Sequence, residues 1–165
     1  MKLVLLDSSW EPTFWDHVLK NVPEHYFFII DWKLNKDKTK IFLAIQDGKI
    51  IAMMLIYDRR IVQIRGNPEA AEILMNEVNL EKAEINALKE HEATILKKYK
   101  PLAKHEMILM TLKRGEEHPY IKHPVVKLTP ADAREIASLL NEEFAEWGEW
   151  KPETIIERMK ENVLF

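Results

Sequence analysis

The stretch from residue 41 to residue 78, IFLAIQDGKIIAMMLIYDRRIVQIRGNPEAAEILMNEV, decides the fold. Its first residues alternate in strand fashion up to Asp47-Gly48, a pair typical of a type I′ hairpin turn because both central residues need positive φ. Residues 49–57 are apolar almost throughout, as in a strand covered on both faces. Asp58-Arg59 turns the chain again, and residues 60–65 run back. The pattern therefore predicts a hairpin followed by a third strand.

A helix is predicted to begin directly after this third strand. Gly66 permits a sharp bend, Asn67 is a favourable N-cap, Pro68 suits the first helical position, and Glu69 lies in the first turn. A helix N-terminus offers unpaired N–H groups and the positive end of the helix dipole, so it attracts phosphate. We therefore expect any function of this half of the chain to lie at the strand–glycine–helix junction.

This stretch resembles the core of the GNAT acyltransferase superfamily, in which the third strand leads into a loop of pattern Gln/Arg-x-x-Gly-x-Gly/Ala. The sequence from Arg65 to Ala70 matches the arginine and the final alanine, and Gln63-x-x-Gly66 matches in a register shifted by two. The resemblance implies acetyl-CoA as cofactor, its pyrophosphate held by the loop amides. The cofactor-binding residues that it implies are Gln63, Arg65, Gly66, Asn67 and Ala70.

Three departures from the family pattern bear on activity. Pro68 has no N–H to donate, and Glu69 carries a negative charge where the phosphate would lie. Leu96 occupies the position of a tyrosine that, in the family, protonates the leaving thiolate, and Tyr99 nearby is interpreted as a core or rim residue. The resemblance therefore implies a degenerate amino-terminal GNAT-like domain with no assigned catalytic residue. The alternative is that Gly66 only allows a turn and Asn67 only caps a helix.

Other elements fit the same fold. Residues 2–6 predict a strand, Phe14, Trp15 and Val18 mark a helix that Pro23 stops, and residues 26–32 are either strand or helix. Residues 80–88 predict a strand, residues 89–99 a helix, and residues 105–113 a final strand. The predicted class is α/β (α+β): a GNAT-like mixed, mostly antiparallel sheet flanked by helices over residues 1–114, with a helical carboxy-terminal extension.

The remaining residues are predicted to form a linker at 115–124 and the start of a second, incomplete GNAT domain at 125–165, as in tandem members of the superfamily. Residues 125–128 predict a strand; Thr129, Pro130 and Asp132 predict a capped helix, and Pro152 a second one. These elements cannot cover their own apolar faces. Either the polypeptide continues, or the helices dock on the first domain, or they form a homodimer with a second copy.

The loop between these two helices holds an aromatic–acid cluster, Glu146, Trp147, Glu149 and Trp150. In GNAT proteins this loop lines the acceptor site, so the resemblance implies that the cluster binds a cationic amine through carboxylate and cation–π contacts. The alternative is that both tryptophans pack under the linker. The implied acceptor is an amine on a small molecule or a protein.

Composition excludes several classes of function. The 165 residues carry a formal net charge of −3 with no long basic face, which disfavours nucleic acid and anionic membranes as partners. No cysteine is present, which excludes disulfides and thiolate catalysis, and the scattered histidines, including His118 and His123, predict no metal site. We expect a cytoplasmic protein, and the scarcity of glutamine favours a thermophilic source.

Two hypotheses of function follow. The first is an acetyl-CoA-dependent N-acyltransferase of GNAT type, in which this chain lacks the working CoA loop. The second is a non-catalytic GNAT-like module that dimerises or completes a partner's site.

Overall fold

The computed structural model describes residues 1–118, 120, 122–143 and 149–160, and the chain divides into two compact units, Met1–Thr111 and Leu112–Phe165. The strands of the first unit are β1 Lys2–Leu5, β2 Thr39–Gln46, β3 Lys49–Tyr57, β4 Ile61–Gly66 and β5 Glu84–Ala87. Its helices are α1 Glu11–Val18, α2 Val22–Leu34, α3 Pro68–Met75 and α4 Glu92–Lys98. The second unit contains α5 Ala133–Glu143 and α6 Pro152–Lys160.

The five strands form one sheet in the order β1-β2-β3-β4-β5, antiparallel except for the parallel β4–β5 pair. Both predicted turns have positive φ at their central residues: 51° and 73° at Asp47 and Gly48, and 48° and 53° at Asp58 and Arg59. Positive φ at both central residues is typical of a type I′ turn. Asp47-Gly48 is a two-residue loop between Gln46 and Lys49, whereas the second turn is followed by Arg60, whose N–H donates to the Tyr57 carbonyl oxygen at 3.0 Å. The predicted mixed, mostly antiparallel sheet flanked by helices is confirmed.

Helices cover both faces of the sheet, which explains why β3 is apolar throughout. Met53 and Leu55 pack into a core under α1 and α2, whereas Ala52 and Met54 pack into a core under α3. Residues 26–32, left open between strand and helix, lie in α2. Pro23 belongs to the first turn of that helix, where its missing N–H costs no hydrogen bond.

Two predicted strands are absent from the described residues. Residues 105–113 and residues 125–128 have no strand structure, so both predictions are wrong for this structure. Strand geometry depends on hydrogen bonds to a neighbouring strand, and neither segment has one among the described residues. The strand predicted at 80–88 is shorter, Glu84–Ala87.

The second unit is built around α5 and α6. The predicted capping box is present, since the Asp132 carboxylate accepts from the backbone N–H of Thr129 at 2.7 Å. The small apolar core between the two helices contains Ala133, Ile136, Ala137 and Ile155. Within the described residues, no helix is both long and apolar enough to cross a bilayer.

Candidate functional site

The β4–α3 junction has the sharp bend that the sequence predicts. Gly66 has φ of 97°, and a Cβ built there would lie 2.4 Å from the Ile51 carbonyl oxygen. Only glycine permits this approach of β4 to β3 before the chain enters α3. The Asn67 side chain caps α3 by accepting from the Ala70 N–H at 2.9 Å.

The amides of this junction already have partners. The Asn67 N–H donates to the Ile51 carbonyl oxygen at 2.8 Å, and the Ala70 N–H donates to the Asn67 side chain. Pro68 has no N–H, and the Ala71 N–H donates into the helix. Among the described residues this leaves the Gly66 and Glu69 amides for an anion, and the Glu69 amide comes with the negative charge of its own side chain. The turn is therefore a poor cradle for a diphosphate.

Arg65 fills the fork where β4 and β5 separate. The β4–β5 pairing ends at Ile64 and Ala87. Beyond that point the Arg65 guanidinium donates to the Ile64 carbonyl oxygen at 2.7 Å and to the Asn86 carbonyl and side-chain oxygens, both at 3.4 Å. Its Nε donates to the Glu24 carbonyl oxygen at 3.2 Å. One side chain thus ties together β4, β5 and α2.

The charge of Arg65 is balanced by these oxygens rather than by an ion pair. The residue is 8% exposed, and no carboxylate lies within salt-bridge distance of it among the described residues. Burial lowers the pKa of the guanidinium, and Glu24 partly offsets that effect. Gln63 lies two residues earlier on the same buried strand, and its side-chain oxygen has no partner within the described part of the chain. The fork is therefore polar, buried and occupied by the protein itself.

His91 lies at the same fork and was not singled out from the sequence. It is fully buried, and its Nε2 donates to the Gly66 carbonyl oxygen at 2.8 Å. A single histidine between a strand and a helix carries no sequence signal for this contact, because the two residues are 25 positions apart. His91 thus fixes the last residue of β4.

The position of the tyrosine in the pattern that the sequence resembles is occupied by Leu96. Leu96 is half-exposed, and the Tyr99 hydroxyl donates to the Leu80 carbonyl oxygen at 2.9 Å. Burial raises the pKa of Tyr99. The interpretation of Tyr99 as a core or rim residue agrees with this geometry.

The five predicted cofactor-binding residues are close in sequence but have different structural roles. Gln63 and Arg65 are buried β4 side chains, whereas Gly66, Asn67 and Ala70 form the turn and its cap. A shallow cavity of about 310 Å³ lies beside Asn67, lined also by Asp47 and Lys49. The role of these residues in cofactor binding stays a prediction.

The predicted amine-binding cluster is described only in part, because Glu146 and Trp147 lie outside the described residues. Glu149 is exposed. Trp150 packs against the core of the second unit, and the Arg158 guanidinium lies 5.1 Å from its ring centroid. That ring face is therefore already used by a cation of the chain, and the amine-binding role stays a prediction.

Asn141 holds Trp150 in place, which gives a direct test of the packing. Its side chain accepts from the Trp150 N–H at 2.6 Å and donates to the Trp150 carbonyl oxygen at 2.9 Å. We expect Asn141→Ala to speed amide exchange at Trp150 at least roughly tenfold, the equivalent of one lost hydrogen bond of about 1.4 kcal/mol. NMR-detected hydrogen exchange measures this rate. The exposed neighbour Glu142→Ala is the control, and equal rates in both variants would contradict the clamp.

Two histidines on α1 and α2 make the first unit sensitive to pH. The rings of His17 and His25 are 5.3 Å apart, and burial is the main cause that lowers the pKa of each below 6.5. At acidic pH the unfolded chain therefore binds more protons than the folded chain. The contribution of the two neutral histidines to the free energy of unfolding is complete above about pH 6.5 and is lost as the pH falls through their pKa values in the folded state.

We expect the free energy of unfolding of the chain to decrease between pH 7.5 and pH 5.5, and His25→Gln to flatten that decrease. Urea unfolding at a series of pH values measures it. His118→Gln, at an exposed position, should keep the slope of the unmodified chain. A His25→Gln profile parallel to that of the unmodified chain would count against the prediction.

Within the described residues, no group of three or more potential metal-ligating side chains comes together.

Comparison with known proteins gives similar solved structures, two of which are described below. No protein-family model matches the chain, and no curated protein matches it. A ribosomal-protein-alanine N-acetyltransferase from Brucella melitensis biovar Abortus 2308 is similar with a TM-score of 0.43 and 14% identity, over 67% of this chain and 98% of that chain. A probable acetyltransferase has a TM-score of 0.43 and 10% identity, over 68% of this chain and all of that chain. Both neighbours are named as acetyltransferases.

Proposed function

We propose that the protein is of the GNAT acyltransferase type, serving acetyl transfer from acetyl-CoA to an amine, and that its own β4–α3 turn does not hold the cofactor. The observation that supports the second part is the use of the junction amides. The Asn67 and Ala70 N–H groups have protein partners, and Pro68 has none to offer. A diphosphate at this turn would have to break the cap of α3 or displace the contact to β3.

The requirements of acyl transfer can be compared with the groups that the first unit contains. Transfer needs the amine held near the thioester and the developing oxyanion stabilised. Here Arg65 and Gln63 are buried side chains on one face of β4, and Arg65 is bonded to α2 through the Glu24 carbonyl oxygen. The parts not found in the described portion of the chain are a phosphate cradle and a general acid.

Isothermal titration with acetyl-CoA tests the second part of the proposal, that the β4–α3 turn does not hold the cofactor. We expect no saturation at about 1 mM acetyl-CoA, which corresponds to binding weaker than about −4 kcal/mol. Glu69→Gln removes the charge at the start of α3, and Glu72→Gln removes an exposed charge one turn later that pairs with Lys97. If the turn held phosphate, Glu69→Gln would tighten binding and Glu72→Gln would not. A micromolar dissociation constant that Glu69→Gln lowers and Glu72→Gln leaves unchanged would overturn the claim about the turn.

A second candidate function is a non-catalytic module that completes or docks on a partner's site. The occupied fork favours it, because Arg65 donates to Asn86 on β5 and His91 donates to Gly66 at the end of β4. Release of free thiol from acetyl-CoA at millimolar concentration, in the presence of a panel of primary amines, separates the two candidates. Release above the rate without protein supports acyl transfer, and none supports the module.

A further inference from the structure

Residues 105–113, named here the 105–113 segment, expose an unusual amount of apolar surface. Five of its side chains are between 64% and 87% exposed: Met107, Ile108, Leu109, Met110 and Leu112. They are consecutive apart from Thr111, so in extended form both faces of the segment are mainly apolar. Monomeric soluble proteins rarely leave such a contiguous stretch in water, which indicates that another surface covers it.

The same chain carries a sheet edge without a strand. β5 is the last strand of the sheet, and within the described residues nothing pairs with its outer side. The Glu84 N–H donates inward to the Arg60 carbonyl oxygen, so the alternate residues Ile85 and Ala87 direct their backbone groups outward. An open edge of this kind is a template for strand addition.

We propose that the 105–113 segment of one copy pairs antiparallel with β5 of a second copy, and that the exchange is reciprocal. One alignment matches polar with polar and apolar with apolar side chains. In it Glu84 lies opposite Lys113, and Asn86 lies opposite Thr111. The two outward residues of β5 face apolar partners, Ile85 opposite Leu112 and Ala87 opposite Met110.

Other alignments lose this complementarity. A shift of one residue toward the start of the segment places Thr111 opposite Ile85 and Leu112 opposite Glu84. A shift of two residues places Leu109 opposite Asn86 and removes the charge pair. Because opposite charges across a strand pair are favourable and a slip exchanges the faces, the side chains select one register.

A second copy is the occupant that the structure of a single copy favours. One copy contains both the unpaired strand sequence and the unpaired edge, and the two are not joined to each other in it. A two-fold arrangement satisfies both surfaces of both copies at once. This interface differs from a dimer through the carboxy-terminal helices, and it does not depend on whether the chain binds acetyl-CoA.

Sedimentation velocity of the full chain with charge variants tests the pairing. We expect a dimer, and we expect Glu84→Lys and Lys113→Glu each to raise its dissociation constant roughly 3- to 30-fold, because two symmetric pairs are lost. The double variant should restore the original value. A chain that stays monomeric up to about 1 mM, or a dimer that neither charge reversal weakens, would overturn the proposal.

A pair of proline variants tests the register. In the proposed alignment the Met110 N–H donates to β5, whereas the Thr111 N–H points away from it. Met110→Pro should therefore weaken the dimer at least tenfold more than Thr111→Pro, and both positions are exposed in a single copy, so neither variant should unfold it. Equal effects would overturn the register. Amide protection of the segment in a monomer would show pairing within one chain and would overturn the exchange.

Discussion

Gly66→Ala is expected to destabilise the first unit by at least about 3 kcal/mol, more than the same change at Gly48 or Gly115, where a Cβ meets nothing within 4 Å. Two causes add. The φ of 97° is a conformation that alanine adopts only under strain, and the new Cβ would lie 2.4 Å from the Ile51 carbonyl oxygen and 2.6 Å from the Ala52 Cα. Both atoms are backbone, so no side chain can move aside. Urea unfolding followed by circular dichroism measures the change.

Gly48→Ala is the matched control for this prediction. Gly48 also has positive φ, 73°, but a Cβ there meets nothing within 4 Å. Its cost should be only the conformational strain, about 1–2 kcal/mol. If the two variants were destabilised equally, the close approach of β4 to β3 would not be the reason for the glycine, and the geometry of the junction would need another explanation.

Arg65→Ala is expected to lower the free energy of unfolding by about 2–4 kcal/mol. The guanidinium serves oxygens on three elements, namely Glu24 on α2, Ile64 on β4 and Asn86 on β5. Removing it leaves a cavity and leaves buried oxygens without donors. The same urea unfolding experiment measures the loss.

Arg60→Ala supplies the comparison, since Arg60 is exposed in the turn before β4 and its removal should cost less than about 0.5 kcal/mol. An Arg65 that served only to contact a cofactor would give a different result: Arg65→Ala would be as stable as Arg60→Ala. The stability difference between these two variants therefore separates a structural arginine from a purely functional one.

Local chemistry made the central part of the fold predictable. Asp47-Gly48 and Gly66-Asn67-Pro68 act through backbone angles and short-range caps, and these do not depend on distant residues. The two chemical objections to a phosphate cradle, Pro68 and Glu69, are likewise visible in sequence. The contact of the Asn67 N–H with Ile51 is not, because it depends on how two strands approach each other.

Predictions failed or stayed open where tertiary contacts decide the outcome. Residues 26–32 are apolar on most sides, so no period distinguishes helix from strand, and Pro23 marks a helix start as well as a stop. The 105–113 segment alternates like a strand, but a strand also needs a neighbour. Arg65 was expected to bind cofactor because it matches the first position of the loop motif. The motif does not show the carbonyl oxygens around Arg65, since these depend on the tertiary structure.

The central claim is that the β4–α3 turn serves the structure and not acetyl-CoA. NMR titration of the ¹⁵N-labelled chain with acetyl-CoA tests it most directly, by following the amides of Asn67, Glu69 and Ala70. We predict that these three signals keep their positions up to about 1 mM acetyl-CoA. Saturable shifts confined to these amides at micromolar concentration would contradict the account.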